Sequence, residues 1–378
     1  MTAGPTESSP AETGSHAPNG SRALESVAAW RELLDTLAES GEVVTSLADG
    51  VPAVDVAEGF GHILNVLADQ FERAALRRSR HPVFLPGVTP VRKFFFDNPD
   101  TDYDIAVLGR SSRYRIYGNR GTCTYLSFCV YSALGRDATT RLVNLSDRDM
   151  HFSPDGDFEV ILSPEEVPGN WLRVDAGSRA VIARQYFLDR RTEVPAEYRI
   201  EALDDPPSDP PLDDLGFARA VRTTAMFVQA ATSLAVQRVE ALRATPNRFV
   251  RTGEHGPYRT PDNDYLACWY RLGEDEALLI DVEPPECRYW GVHLANRWGQ
   301  SLDHRTRRTA LNGRTATPEA DGRVRVVVSG TDPGSPNWLD TAGHPEGWVL
   351  FRWLLADEPV VPHVERITLT SRRTDSAE

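Results

Sequence analysis

The chain says one thing twice. Pro168–Asp189 reads PGNWLRVDAGSRAVIARQYFLD, and Gly330–Asp357 reads GTDPGSPNWLDTAGHPEGWVLFRWLLAD. Each copy has an Asn-Trp-Leu triplet, a turn-rich connector, and a strand-like apolar run with one Arg inside and an Asp after it. Asn170, Trp171 and Leu172 answer Asn337, Trp338 and Leu339; Arg184 answers Arg352, and Asp189 answers Asp357. A unit that recurs in order has to fold twice, so the chain is read as two copies of one module.

The other landmarks keep the same order. Asn98-Pro99-Asp100-Thr101-Asp102-Tyr103 matches Thr260-Pro261-Asp262-Asn263-Asp264-Tyr265, and Thr124-Tyr125 matches Arg288-Tyr289. Asp155-Gly156 precedes FEVILS as Asp321-Gly322 precedes VRVVVS, and Pro195 answers Pro362. Between these points lie short apolar or alternating runs separated by Gly, Pro, Asn and Asp. Tyr103–Leu108, Tyr114–Tyr117, Cys123–Tyr131, Phe158–Leu162 and Val181–Leu188 are strands of the first copy. Ala267–Leu272, Ala277–Val282, Tyr289–Ala295, Val324–Ser329, Val349–Leu355 and Ile367–Thr370 are strands of the second. The expected fold is mainly β with helical segments: two duplicated antiparallel β-sandwich, jelly-roll-like units.

Helical periodicity marks what surrounds them. Leu24, Val27, Trp30, Leu34 and Leu37 form one stripe, with Gly41 placed to end the helix; Phe60, Ile63, Leu64, Leu67 and Phe71 form a second. The longest pattern runs from Leu215 to Arg243, after the acidic, Pro-rich DDPPSDPPLDD. The expected division is a disordered tail over 1–20 and a helical segment over 21–80. A first repeat over 81–203, a linker and long helix over 204–250, a second repeat over 251–370 and a polar tail over 371–378 follow.

The runs FFFDNPDTDY, YRIYGNRG and TALNGRTA, with DGRVRVVVSGTDPGSPNWLDTAGHPEGWVLFRW, resemble bacterial proteins of domain-of-unknown-function family 1214, often paired with family 1254. The resemblance covers roughly residues 55 to 367, and the second half is the more specific. It implies two related β-sandwich units joined by helices. Many relatives look exported; no signal is read in this sequence, so this chain is expected to depart from them. The family brings no established catalytic residues, so none is carried over.

Composition narrows the partners. With a net charge of −14, the protein on average repels nucleic acid and anionic membrane surfaces, so neither is expected. No stretch of about 18 apolar residues occurs to span a bilayer, and the N-terminal MTAGPTESSPAETGSHAPNGS has neither the basic start nor the apolar core of a secretory signal. Cys123, Cys129, Cys268 and Cys287 lack zinc-site spacing and read as buried, reduced thiols. The expected compartment is the cytoplasm; oligomerisation stays open. Lys93 is the only lysine, a bias that suggests a GC-rich, bacterial genome and says nothing about function.

No reaction is legible. The chain has no G-x-G-x-x-G, Walker loop, G-x-S-x-G or H-E-x-x-H, so no cofactor is expected. His293, His304 and Asp303 could meet a metal only as well as many scattered triples could, so no metal is expected either. The doubled Asn170-Trp171 and Asn337-Trp338 read as structural turns, Trp covering a sandwich end and Asn bonding nearby backbone. By strand alternation Arg184 shares a face with Ile182, Tyr186 and Leu188, and Arg352 with Leu350 and Leu354. An arginine on an apolar face needs a partner. Two readings stand: a structural pair with the doubled acidic turns (Asp100 and Asp102, Asp262 and Asp264), or an anion-binding role.

One basic and aromatic run has no good counterpart in the first copy: Asn296, Arg297, Trp298, Asp303, His304, Arg305 and Arg308, with His344, in the turn after Trp338, as an outlier. A solvated loop is the plain reading. The functional one is a mouth for a small polar, anionic or sugar-like molecule, since Arg gives bidentate bonds and Trp a stacking face. The expected function is therefore an enzyme or binding protein for such a molecule, held in the second repeat or between the repeats. The alternative is a non-catalytic scaffold using a sheet face.

Overall fold

A computed structural model describes residues 24–76, 79–93, 95–109, 112–132, 142–204, 208–209, 211–252 and 260–369. The tails expected over 1–20 and 371–378 lie outside them, and the Pro-rich linker is only partly inside.

Both repeats build the same object. The first consists of β1 (Phe84–Pro86), β2 (Thr101–Val107), β3 (Tyr114–Asn119), β4 (Tyr125–Ser132), β5 (Leu142–Ser146), β6 (Asp157–Ser163), β7 (Asn170–Arg173), β8 (Ser178–Tyr186) and β9 (Glu197–Ala202). The second consists of β10 (Val250–Arg251), β11 (Asn263–Arg271), β12 (Glu276–Val282), β13 (Tyr289–Ala295), β14 (Ala310–Asn312), β15 (Val324–Ser329), β16 (Trp338–Asp340), β17 (Glu346–Leu354) and β18 (His363–Thr368). In each, a five-stranded sheet faces a four-stranded one. The orders are β1-β2-β8-β4-β5 over β7-β6-β3-β9, and β10-β11-β17-β13-β14 over β16-β15-β12-β18. Strand for strand the two topologies coincide.

Alternation explains the cores. Phe128, Val130, Val181 and Ala183 of the first large sheet meet Ile116, Val160 and Leu162 of the small one. Cys268, Tyr270, Val349 and Phe351 meet Leu278, Ile280, Val326 and Val328 in the second. The central strand β17 is buried at every position, so its other face is also covered.

Asn-Trp-Leu is not a turn. It enters the short edge strands β7 and β16, each parallel to its neighbour. Asn170 donates to the carbonyls of His151 and Glu159, and Asn337 to those of Thr317 and Arg325. The side-chain amide satisfies backbone where the parallel edge leaves it unpaired.

Three helices cover the sheets: α1 (Glu25–Thr45), α2 (Ala53–Leu76) and α3 (Asp214–Arg243). Asp213 caps α3, its carboxylate accepting from Gly216 N at 2.6 Å. Gly41 does not end α1, which runs on to Thr45. The apolar stripes are only partly turned inward: Ile63 is buried and Leu37 and Leu67 pack beside it. Trp30, Leu34, Phe60 and Leu64 are exposed, while α2 buries Asp55, His62, Asp69, Gln70 and Arg73. Asp55 and Asp69 go inward with arginine partners, Arg297 and Arg92 from loops and Arg73 from α2 itself, beside the buried Ile63 and Val66. Among the described residues no helix is long and apolar enough to cross a membrane.

The two sandwiches are latched reciprocally. Asp262 accepts hydrogen bonds from Tyr125 Oη and from Asn144 at 3.0 Å. Asp100 accepts from Tyr289 Oη at 2.9 Å and from Asn312 at 3.0 Å. Tyr186 stands edge-on to both tyrosines, at 5.5 Å from Tyr125 and 5.1 Å from Tyr289. The doubled Pro-Asp turns thus reach across to the other repeat instead of serving their own arginine.

Candidate functional site

The outer faces of the two large sheets, with α2 and α3, enclose a cavity of about 890 Å³. Strand alternation dictates what enters it. On β8 the outward residues Ile182, Arg184 and Tyr186 line the wall, and on β17 Trp348, Leu350 and Arg352 do. Register places Tyr103 opposite Arg184 and Tyr265 opposite Arg352. Each guanidinium lies over its tyrosine ring, at 5.8 Å and 5.7 Å from the centroid. The duplicated Arg-Tyr pairs therefore meet at one place.

Their surroundings differ. Arg184 also donates to Tyr131 Oη at 2.9 Å. Arg352 bonds His293 Nδ1 at 3.1 Å and donates to the Phe96 carbonyl. Burial, reinforced by the adjacent guanidinium, drives the His293 pKa well below the usual imidazole value, so the ring is neutral and can accept. No carboxylate lies within ion-pair distance of Arg352 among the described residues, which corrects the expected structural pair there. Burial pushes Tyr103 up to about 12, against the pull of both guanidiniums.

Helix α3 adds a third cation. Arg238 stacks over Phe96 at 5.1 Å, and burial lowers its pKa. Among the described residues it makes no hydrogen bond or ion pair. Phe95 and Phe96 both have positive φ, at 56° and 60°, and both line the cavity. Left-handed backbone at two bulky residues is costly and persists only where packing over-determines it. Here Phe96 N bonds Gly299 O at 2.7 Å, and its ring meets Trp348 edge-on at 5.0 Å. Asp97 beside them accepts from Ser301 N and Oγ. Taken together the described lining carries five arginines against two aspartates, one of which, Asp69, is already paired with Arg73 and Arg92.

None of Asn296, Arg297, Trp298, Asp303, His304, Arg305, Arg308 or His344 lines this cavity. The first three are buried in the seam between the second repeat and α2. Arg297 bonds Asp55 at 3.1 Å and Glu346 at 3.0 Å. Trp298 Nε1 donates to Asp55 O at 2.7 Å, and its ring stacks on His62 at 5.5 Å. Asn296 Oδ1 accepts from Trp298 N and Gln300 N, shaping the turn. Asp303 holds Arg305 and Thr306 locally, and the exposed Arg308 donates to the Pro336 carbonyl. His304 is half-buried outside the cavity. His344 reaches Glu58 on α2.

Sequence reasoning missed Arg238, Tyr131, Phe96 and Asp97 as site residues. Tyr103 and Tyr265 carried a usable signal, because each closes a doubled Asp-containing landmark. Arg238 carried none, since Gln237 and Glu240 beside it make it read as part of a polar helix face.

Comparison with known proteins bears on the fold and family. No curated protein matches the sequence. A crystal structure of an uncharacterised protein from Burkholderia cenocepacia is 34% identical, covering 91% of this chain and 98% of that one, with a TM-score of 0.87. A structure from Vibrio parahaemolyticus is similar at 12% identity, covering 82% of this chain and 97% of that one, with a TM-score of 0.49. The model of the DUF1214 family, described as a protein of unknown function, matches residues 97–187 and 269–358, one match in each repeat. With a relative this similar over nearly its whole length and the family pattern found twice, the chain belongs to the DUF1214 family.

Proposed function

We propose that the cavity between the repeats binds a small organic anion with an apolar or aromatic body. The observation that carries this reading is Arg238. It is a half-buried guanidinium that lines the cavity and, among the described residues, has only an aromatic ring for company. A cation drawn partly out of water without a counter-charge is unfavourable, and a ligand carboxylate or phosphate offsets that cost with bidentate bonds. Arg352, held by neutral groups alone, supports the same reading. The excess of arginine is local in a protein of net charge −14, so general electrostatics does not account for it. Phe227, Met226, Leu242, Ile105 and Leu350 offer the remaining walls to an apolar body. A cavity of about 890 Å³ falls in the ordinary range for small-molecule sites.

The test is a thermal-shift and calorimetric screen of aromatic and aliphatic carboxylates and phosphates, each beside its neutral amide or alcohol. Anions are expected to stabilise the protein where the neutral partners do not. Arg238→Met should weaken binding about 10- to 100-fold, the loss of a charge-assisted bond. Equal binding of neutral analogues, or unchanged anion binding in Arg238→Met, would defeat the reading.

A second reading, an interaction surface, draws on the exposed Trp30 and Leu34 of α1 and Phe60 and Leu64 of α2. Light scattering of the parent and of Leu64→Glu tests it: a self-associating parent and a monomeric variant would support it.

A further inference from the structure

The seam between α2 and the second repeat holds a cluster that the anion site does not use. Asp55 and Glu58 stand one turn apart on α2 and project to the same side. His344 comes to meet them from the turn between β16 and β17. One donor atom from each lies within 4.8 Å of the others. We propose that Asp55, Glu58 and His344 form a binding site for a divalent transition-metal cation.

Two independent features ask for a positive charge at this point. The first is the tautomer of His344. Its Nδ1 is 3.0 Å from the Thr341 carbonyl oxygen, which can only accept, so Nδ1 carries the hydrogen. In the neutral ring Nε2 is then a lone pair, and it faces both Glu58 oxygens at 3.1 Å. Lone pair against carboxylate is repulsive unless a proton or a metal lies between them. The second is Asp55, a residue only 1% exposed. Its Oδ2 is taken by Arg297, but no hydrogen bond reaches the buried Oδ1 among the described residues. A buried carboxylate oxygen without a partner is uncommon and calls for an ion or a water. Protonating His344 answers the first demand and leaves the second. One cation answers both.

The surroundings suit a metal. With ion-to-ligand distances of about 2.1 Å, tetrahedral donors stand about 3.4 Å apart; His344 Nε2 and Glu58 are already at 3.1 Å, and donors as far apart as 4.8 Å close on the ion by a movement of up to about 1.4 Å. The Nδ1–H···O=C bond is the outer-shell contact that commonly fixes a metal-binding imidazole, and Arg297 orients Asp55 in the same way. One nitrogen and two carboxylates suit zinc, manganese or ferrous iron, and three protein ligands leave a position for water. Glu58, the least buried of the three at 26% side-chain exposure, gives an entry path. The turn that aims His344 is itself strained, with Ala342 at φ 53° held by an Asp340 carboxylate oxygen at 2.7 Å. The first repeat has Ser178 after Gly177 at the matching turn, so the site belongs to the second repeat alone.

The full-length protein, stripped with a chelator and checked for native near-ultraviolet circular dichroism, is titrated with Co²⁺ and then with Zn²⁺. The expected result is saturable uptake of a single equivalent of Co²⁺ with ligand-field absorption, displaced by Zn²⁺. Glu58→Gln should weaken uptake at least about 10-fold, the loss usual when a metal site loses a supporting group. Glu58 is partly exposed, so this variant keeps the test interpretable even if His344→Gln fails to fold. Absence of uptake by the parent at millimolar metal, or uptake unchanged in Glu58→Gln, overturns the proposal.

Discussion

Arg297 and Arg352 are equally buried in the second repeat, each 4% exposed, yet they live in opposite electrostatic settings. Arg297 lies between two buried carboxylates, Asp55 and Glu346, and Glu346 is further bonded by Arg243 and Arg271. Arg352 has an imidazole, a carbonyl and a tyrosine ring. The basic run that contains Arg297 reads in sequence as a ligand mouth, and the duplicated arginines read equally well as structural pairs. Placement in the fold separates the two. Where the partners are acidic, the arginine is structural and removing it strands charge. Where they are neutral, no acidic partner balances its charge within ion-pair distance among the described residues.

The sharpest way to break this contrast is Arg297→Met. It leaves Asp55 without its cation and weakens the network at Glu346, so unfolding in denaturant should show a loss of about 3–5 kcal/mol. A loss under about 1 kcal/mol would mean the seam is not held by charge.

Next comes pH. Burial pulls His62, stacked on Trp298, down to about 4. Its unfolded value is near 6.5, so below that pH the unfolded chain takes a proton that the fold refuses. Stability from this group is complete above about pH 6.5 and is lost as pH falls toward 4, by about 3 kcal/mol in all. Burial lowers His293 in the same direction. His62→Phe should flatten this part of the stability–pH curve; an unchanged curve would assign acid sensitivity elsewhere.

The latches give a smaller and symmetric effect. Asp262→Ala strands the donors Tyr125 and Asn144, and Asp100→Ala strands Tyr289 and Asn312. Each should cost about 2 kcal/mol, with a coupling of about 1.5 kcal/mol or more between Asp262→Ala and Tyr125→Phe in a double-mutant cycle. Additivity within about 0.3 kcal/mol would show that the two groups do not act on each other.

Smallest in stability is Arg352→Met, expected within about 1 kcal/mol of the parent. The lost bonds to neutral groups are offset by removing a desolvated cation. The same variant should lose anion binding about 10-fold or more, so stability and affinity part company. A stability loss as large as that of Arg297→Met would erase the distinction between the two regions.

Much of the architecture was legible because it is local or repeated. Alternation put Arg184 with Ile182 and Tyr186, and Arg352 with Leu350, as the strands do. The landmark order carried the two sandwiches, and the periodicity from Leu215 onward carried α3. The helix faces were legible only in part: Ile63 is buried as the stripe requires, but the rest of the face is not apolar. Phe60 and Leu64 are exposed while Asp55 and Asp69 are buried, because salt-bridge partners from Arg297, Arg73 and Arg92 outweigh hydropathy there.

By itself, then, the sequence determined that this protein is a duplicated, mainly β chain with an arginine on the same face of each equivalent strand. Only the tertiary structure decided what those arginines meet. Periodicity is a property of neighbours a few residues apart, and the pairing of charges is not. Asp55 and Arg297 are 242 residues apart in the chain, and Phe96 and Arg352 are 256 apart. Which cation is neutralised and which faces an open cavity depends on the packing of α2 and α3 across both sheets, a fact that no window of sequence contains.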